Sequence, residues 1–484
     1  MKIAYSHLKR FLKDNPSIED ISSKLFQLGH ENEISGDILD IEFTPNRGDC
    51  LSLLGLARDL GAFYKLNLDV ELYDGPINPL SIEFINNAVD DCPNIFFLSI
   101  EISKDISKYQ PYLESYFQDH QIKKNNFFTD ISNYLAYEIG QPTHCYDFNK
   151  INGPIEFDNT NVNEEFHTLL GNKIQLVQKN CVFTSNNQII NLAGIMGSIS
   201  TACNANTKKA LIESAYFNPE AIIGKSIKYD LHSDASYKFE RGVDPSLQEL
   251  ALRRFIKIVS EHAEIIDVNI YREQKTGLEN NFIEYDPKIV NKILGTEMST
   301  YEIEKSLSSI GFIMNEESLK IPKYRHDIKH LNDIAEEVAR VVGYDNLQPR
   351  KFLIKDKSNT IKEKHSYIKD FLIDNGFNEV INNPFTDLVD NKNSIKVDNP
   401  LDSNKSYLRT SLKQSLIKNL EFNENRQNDS IKLFEISDIY LNEQNSKSEK
   451  LLSIIISGRV GNNYVDFSKK LDKEYIFNIF QSIN

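Results

Sequence analysis

Tyr324-Arg325-His326-Asp327-Ile328, followed by Asp333-Ile334-Ala335-Glu336-Glu337-Val338-Ala339-Arg340-Val341-Val342-Gly343-Tyr344-Asp345, decides how this chain is read. Four carboxylates, Asp327, Asp333, Glu336 and Glu337, fall on a loop that runs into an amphipathic helix. At 100° per residue Asp333, Glu336 and Glu337 share one helical face, and Asp327 can fold back over it from the preceding turn. An oxygen-rich, thiol-free set of this kind suits a hard cation such as Mg²⁺. The same residues also suit a helix start. Asp333 as N-cap with Glu336 at N3 makes a capping box, and Glu337 adds favourable charge to the first turn. Both readings stand, because a capped helix can also present ligands.

The chain has 484 residues, a net charge of −15, 26% charged and 40% hydrophobic residues. That length implies roughly three or four globular domains. A net acidic chain is a poor general binder of nucleic acid, which needs clustered Lys and Arg, so any RNA contact must be local or shared with a partner. The five cysteines (Cys50, Cys92, Cys145, Cys181, Cys203) form no Cys-x-x-Cys pair, which argues against zinc or a disulfide framework and for reduced thiols. No apolar leader opens the chain and no run of about 18 apolar residues occurs, so a cytoplasmic, membrane-free protein is expected.

Working outward, residues 1–75 hold a helix from Ser17 to a glycine stop at Gly29, a strand over 37–43, and the turn Thr44-Pro45-Asn46-Arg47-Gly48-Asp49-Cys50 feeding a helix to Arg58. Residues 82–270 alternate β-like runs with turns, as in an α/β domain. Residues 276–350 read as helix (286–295), helix (from Ser299, with a Ser-x-x-Glu capping box), strand (319–322) and the acidic helix. This winged-helix-like order lacks a basic reading face, so DNA recognition is not expected. Residues 351–484 begin with a helix over 366–376 and a short strand. They continue through Leu408-Arg409-Thr410-Ser411-Leu412, a helix to Asn425 and a strand over 432–436, and close on the apolar helix of Tyr475, Ile476, Phe477, Ile479 and Phe480. Such an apolar face, if bare, would call for a partner.

The 324–345 block resembles the B5 domain of the bacterial phenylalanyl-tRNA synthetase β subunit. "TPNRGDCLS" with Ala57-Arg58 resembles the N-terminal part of the same family. Three further blocks resemble its B3/B4 editing domain: Asp130-Ile-Ser-Asn-Tyr134 through Glu138-Ile-Gly-Gln-Pro-Thr-His144-Cys-Tyr-Asp147; Asn191-Leu-Ala-Gly-Ile-Met-Gly197; and Leu211-Ile-Glu213-Ser-Ala-Tyr-Phe217 with His232-Ser233-Asp-Ala235-Ser-Tyr-Lys-Phe-Glu-Arg-Gly-Val-Asp-Pro245. The last region resembles the family's non-catalytic class II synthetase-like domain. By this resemblance Asp327, Asp333, Glu336 and Glu337 hold a Mg²⁺ shared with an α subunit. His144, Glu213, Ser233 and Ala235 line a pocket that hydrolyses tRNA-Phe wrongly charged with tyrosine. Arg409 is not an ATP ligand and reads instead as support for a subunit interface.

The chemistry of such a pocket fits these residue types. A synthetic site for phenylalanine rejects one extra hydroxyl poorly, so a second sieve is useful. A carboxylate such as Glu213 can accept the phenol's hydrogen bond, which phenylalanine leaves unmade. Ala235 leaves room for the ring, and Ser233 or His144 can position water or the terminal ribose. Taken without the resemblance, His144 reads as a hydrogen-bonded structural histidine, Glu213 equally as a solvated strand residue, and Gly194 and Gly197 as turn glycines. The family usually carries glycine where this chain has Ser198, and the basic run before Ser233 is thinned to Lys225 and Lys228.

The expected fold is therefore α+β and multidomain: an N-terminal α/β region (1–75), an editing-like α/β domain (82–270), a winged-helix-like B5 domain (276–350) and a class II synthetase-like antiparallel-sheet domain (351–484). The N-terminal oligonucleotide-binding insertion and the C-terminal anticodon-binding domain usual in the family are expected to be missing, and the last domain is expected to be shortened. The implied role is the β subunit of an (αβ)₂ heterotetramer that uses ATP to attach phenylalanine to tRNA-Phe. A free-standing editing hydrolase and a scaffold with decayed editing are the alternatives.

Overall fold

The computed structural model describes residues 1–275, 281–315, 318–348, 366–387, 394–441, 447–461 and 463–481. It divides into two compact units, Met1–Phe352 and Leu353–Asn484. No helix among the described residues is long and apolar enough to cross a membrane.

In the first unit, strand Ile38–Glu42 pairs antiparallel with both Lys2–Ala4 and Glu31–Ser35. The helix Ile18–Gln27 starts where Ser17 accepts from the Asp20 N–H and stops before Gly29, whose φ of +87° suits only glycine well. Helix Leu53–Leu60 follows the 3₁₀ turn Gly48–Cys50 and is buried at every position except Arg58.

Two five-stranded mixed sheets make up the central region. One carries strands Asn94–Ile102, Lys209–Tyr216 and Thr143–Asp147 side by side. Alternation along the first of these decides the layering. Phe96, Leu98 and Ile100 join a core shared with helices Phe127–Glu138 and Gln248–Ser260. Ile95 and Phe97 point the other way, into a core closed by the second sheet of strands Ile155–His167 and Lys173–Ser185. A strand buried on both faces reads as the continuous run Ile95-Phe-Phe-Leu98 rather than as an alternating pattern.

The next region packs helices Pro287–Leu294, Thr300–Ser309 and Leu331–Val342 on a three-stranded antiparallel sheet around Val290, Ile303, Leu307, Leu319, Ile334 and Val338. Ser299 and Glu302 make the capping box read from the sequence. The acidic helix starts earlier than expected: His330 is the N-cap and Asp333 is N3, so Asp333 and Glu336 do not form the box. Asp333 Oδ2 instead accepts from the backbone N–H groups of Lys329 and His330 at 2.7 and 2.8 Å, filling orphan donors of the first turn.

These regions meet at two glycines. A Cβ on Gly48 would lie 2.5 Å from the carbonyl oxygens of both Arg241 and Gly242, and one on Gly242 (φ +88°) 2.9 Å from the His326 ring. His326 Nε2 in turn lies 2.8 Å from the Val243 carbonyl oxygen.

In the second unit, strand Ile431–Leu441 pairs antiparallel with Lys447–Ser457 but parallel with the short Asn378–Glu379, so the sheet is mixed rather than antiparallel throughout. The parallel pair follows from the long connection between its strands, which includes helix Lys413–Glu424 and so can cross over. Two expectations need correction here. The closing helix Lys473–Gln481 does not bare its apolar face: Tyr475, Ile476, Ile479 and Phe480 pack on Leu372, Phe377 and Phe434, and Phe477 alone of the five is mostly exposed. Arg409 is buried, its Nη1 2.7 Å from the fully buried Glu435, and its Nε donates to the Asp438 carbonyl. It neutralises an internal acid, so it does not serve a subunit surface.

Candidate functional site

Glu213 and His144 face each other directly across antiparallel strands Lys209–Tyr216 and Thr143–Asp147. Strand parity puts both on the inter-sheet side: their neighbours Ile212 and Cys145 belong to the helix-facing core, and Leu211 and Tyr146 to the inter-sheet core. Glu213 is therefore buried, not a solvated strand residue. Its Oε2 accepts from the Tyr146 hydroxyl at 2.5 Å and from Asn191 Nδ2 at 3.1 Å. Among the described residues nothing donates to Oε1. Burial pushes the Glu213 carboxyl up to about 7, with the two hydrogen bonds pulling partly back.

His144 is also enclosed, and burial lowers its pKa to about 4, so the imidazole is neutral near pH 7. Its ring meets the Tyr146 ring edge-on at 4.4 Å, and its Nε2 has no hydrogen-bond partner among the described residues. The turn from Asn191 to Gly197 covers this pair. Gly194 has φ +70°, as a turn glycine should, but Gly197 serves another purpose: a Cβ there would sit 2.1 Å from His144 Cε1. The close approach of backbone to ring requires glycine.

Ser233 is the N-cap of helix Asp234–Phe239, and its hydroxyl donates to the Ile195 carbonyl at 2.8 Å. Ala235, the second residue of that helix, packs against the inter-sheet core. Three of the four residues singled out from the sequence thus touch the 191–197 turn, His144 at Gly197, Glu213 at Asn191 and Ser233 at Ile195, with His144 and Glu213 in direct register. Tyr146 and Asn191 were missed. The signal was present, since Tyr146 lies two residues from His144 on the same strand face and Asn191 opens the glycine turn.

The four acids of the B5-like region do not gather in the same way. Glu337 is buried, with Arg325 donating to it at 2.6 and 2.7 Å and Arg340 Nε at 2.9 Å. Its carboxyl is held down at about 2, the two guanidinium groups outweighing burial. Asp327 accepts two bonds from Arg325 at 2.9 Å and one from Asn46 at 3.1 Å. Asp333 caps the helix, and Glu336 is exposed. Arginine thus already supplies the positive charge at Asp327 and Glu337, and the donor set as arranged does not fit a preformed Mg²⁺ site.

Among the described residues, one group of metal-ligating side chains lies close together: His30, Cys50 and Asp59, all buried. Here too cations are in place. Arg47 donates to Cys50 Sγ at 2.8 Å and to Asp59 at 2.9 Å, and Arg340 donates twice more to Asp59.

Three domain models match this chain. The B3/4 domain model matches residues 91–264, the tRNA synthetase B5 domain model residues 283–344, and the phenylalanyl tRNA synthetase beta chain CLM domain model residues 348–483. The phenylalanine–tRNA ligase beta subunit of Pseudoalteromonas translucida is 29% identical over 91% of this chain, and that of Psychrobacter arcticus 30% identical over 84%. This chain belongs to the phenylalanine–tRNA ligase β-subunit family. It spans 58% of the length of the first of these relatives and 53% of the second. An N-terminal fragment of the phenylalanyl-tRNA synthetase beta subunit from Pyrococcus horikoshii aligns with 70% of this chain and 99% of its own length, at 16% identity and a TM-score of 0.39. Within the β-subunit family architecture, the B3/4 match contains the His144–Glu213 site and the B5 match contains the arginine-neutralised acids.

Proposed function

We propose that this chain acts as the β subunit of a phenylalanine–tRNA ligase and that its inter-sheet site removes tyrosine from mischarged tRNA-Phe. The catalytic partner, an α subunit, would hold ATP and phenylalanine and form the aminoacyl bond, in an (αβ)₂ assembly in the cytoplasm. The observation that carries the editing reading is Glu213: a buried carboxylate, directly opposite His144, with one oxygen anchored by Tyr146 and Asn191 and the other without a donor among the described residues.

In this reading Glu213 Oε1 accepts the hydrogen bond of a tyrosyl phenol. Phenylalanine in the same place would leave a buried acceptor unpaired, a cost of about 1–3 kcal/mol that rejects the correct product. Tyr146 and Asn191 fix the carboxylate's orientation. His144, neutral and shielded, offers a nitrogen that can take or position a proton of the attacking water, and ester hydrolysis at such a site needs no protein nucleophile.

The test is deacylation of tyrosyl-tRNA-Phe by the full chain, with and without the α subunit. Hydrolysis of the tyrosyl ester but not the phenylalanyl ester, lost in Glu213→Ala, is the expected result. Equal hydrolysis of both, or an unaffected variant, would remove the editing assignment and leave a scaffold. Activity without the α subunit would favour a free-standing hydrolase.

A further inference from the structure

Arg58 is the one residue of its helix that is not fully buried, and its surroundings leave its charge largely unanswered. The guanidinium lies 4.1 Å over the Tyr324 ring. Among the described residues its one ion-pair neighbour is Asp244, 3.9 Å from Nη1 and too far for a hydrogen bond, and the Arg58 side chain is only 17% exposed. Nε is sealed from solvent with no acceptor among the described residues. None of the other guanidinium donors is bonded to a described residue either, although a buried donor normally finds a partner. Asp244 is engaged elsewhere, its Oδ1 accepting from the backbone N–H and the hydroxyl of Ser246.

Arg58 lines a cleft of about 300 Å³ together with Lys320 and Lys323. Among the described residues neither lysine makes an ion pair or a side-chain hydrogen bond. Among the described residues that line the cleft, three cations therefore meet one acid, in a chain whose net charge is −15. The arginine fork is held in place by the tyrosine ring, and Tyr324 is itself fixed by Gly311, where a Cβ would lie 2.4 Å from its hydroxyl.

We propose that this cleft binds backbone phosphates of an RNA strand. A fixed guanidinium with unused donors matches the oxygens of a phosphodiester, and two lysines beside it act as point charges toward neighbouring phosphates. Lys323 is exposed, so its ammonium is free to meet a phosphate of a strand lying over the cleft. The inference rests on the ligase reading above, which supplies tRNA as the RNA. It places a local cationic contact on a surface that is acidic overall, as a net acidic tRNA-binding chain requires.

The experiment is binding of a tRNA-Phe transcript to the full chain across a salt series, for wild type, Lys320→Gln with Lys323→Gln, and Arg58→Gln. Losing two phosphate contacts should weaken binding and reduce the slope of log K against log salt by about two. The lysine pair is outside the core, so its thermal melt should not move, which keeps the test valid if Arg58→Gln proves unstable. Binding with an unchanged slope in the lysine variant would overturn the cleft assignment and leave the ligase reading standing. No binding of tRNA by the wild type, either alone or together with the α subunit, would sink both. Inorganic phosphate is the second probe. Saturable phosphate binding that the lysine variant loses, together with an unchanged tRNA slope, would make the cleft a free-oxyanion site and overturn the RNA assignment.

Discussion

Arg340 holds Asp59 with both Nη atoms at 2.8 Å, although the two residues are 281 positions apart. This pair is the middle of a buried chain of alternating charge. Asp59 also accepts from Arg47, which grips Asp49, while Arg340 reaches Glu337, which binds Arg325, which binds Asp327. The acids of the B5-like region are thereby tied to the N-terminal region.

Removing one partner from such a chain strands the others. Arg340→Ala should destabilise the first unit by about 3–5 kcal/mol, because Asp59 and Glu337 would stay buried with too little positive charge. A thermal or urea melt that matches wild type would show that the relay contributes nothing to the fold.

Magnesium should matter little to the isolated chain. Since Arg325 and Arg340 already neutralise Asp327 and Glu337, chelation by EDTA is expected to leave the melting temperature where it was. A rise with millimolar Mg²⁺ that Glu336→Gln abolishes would mean the acids rearrange into a metal site.

Glu213 gives a pH signature with two opposite signs. Its folded pKa, raised from 4.5 to about 7 by burial, means the folded chain holds this proton more tightly than the unfolded chain. That contribution to stability is complete below about 4.5 and is lost as pH rises through 7; at most it is about 3 kcal/mol. Deacylation needs the charged acceptor and should rise over the same window. Titrating melting temperature and activity together, with Glu213→Gln as the control that flattens both, checks the assignment.

Gly197→Ala should be costly despite its size. The added methyl would land 2.1 Å from His144 Cε1, and overpacking of this kind typically costs about 1–3 kcal/mol. The expected readout is a lowered melting temperature together with loss of tyrosyl-tRNA hydrolysis. An active, fully stable variant would show that the ring has room to move.

Much of this was legible in the sequence because local chemistry wrote it there. Ser299 caps its helix as its Ser-x-x-Glu pattern predicts, Ser17 and Asp286 stand at the starts of theirs, and Gly29 and Gly295 end theirs with positive φ. His144 and Glu213 came from motif resemblance, and strand register then brought them together. What stayed hidden depends on long-range partners. The spacing of Asp327, Asp333 and Glu337 says nothing of Arg325 turning inward or of Asp59 waiting on the far side. The start of the acidic helix was misplaced because His330 is a weak capping signal, whereas Asp333 is a strong signal that serves equally well at N3. The packing of Tyr475 and Phe480 depends on Phe371 and Phe434, which no local pattern links to them.

The contact of Gly48, the 241–243 backbone and His326 bears on how such a chain can be rebuilt. Each of three sequence regions supplies one layer, and neither glycine tolerates a side chain without the layers separating. A chimera that exchanged only the B5-like segment with a distant homologue would have to bring a ring of the same reach as His326 to an unaltered backbone. The practical cut points for grafting therefore lie outside this stack, and the three regions should be inherited or transplanted as one piece.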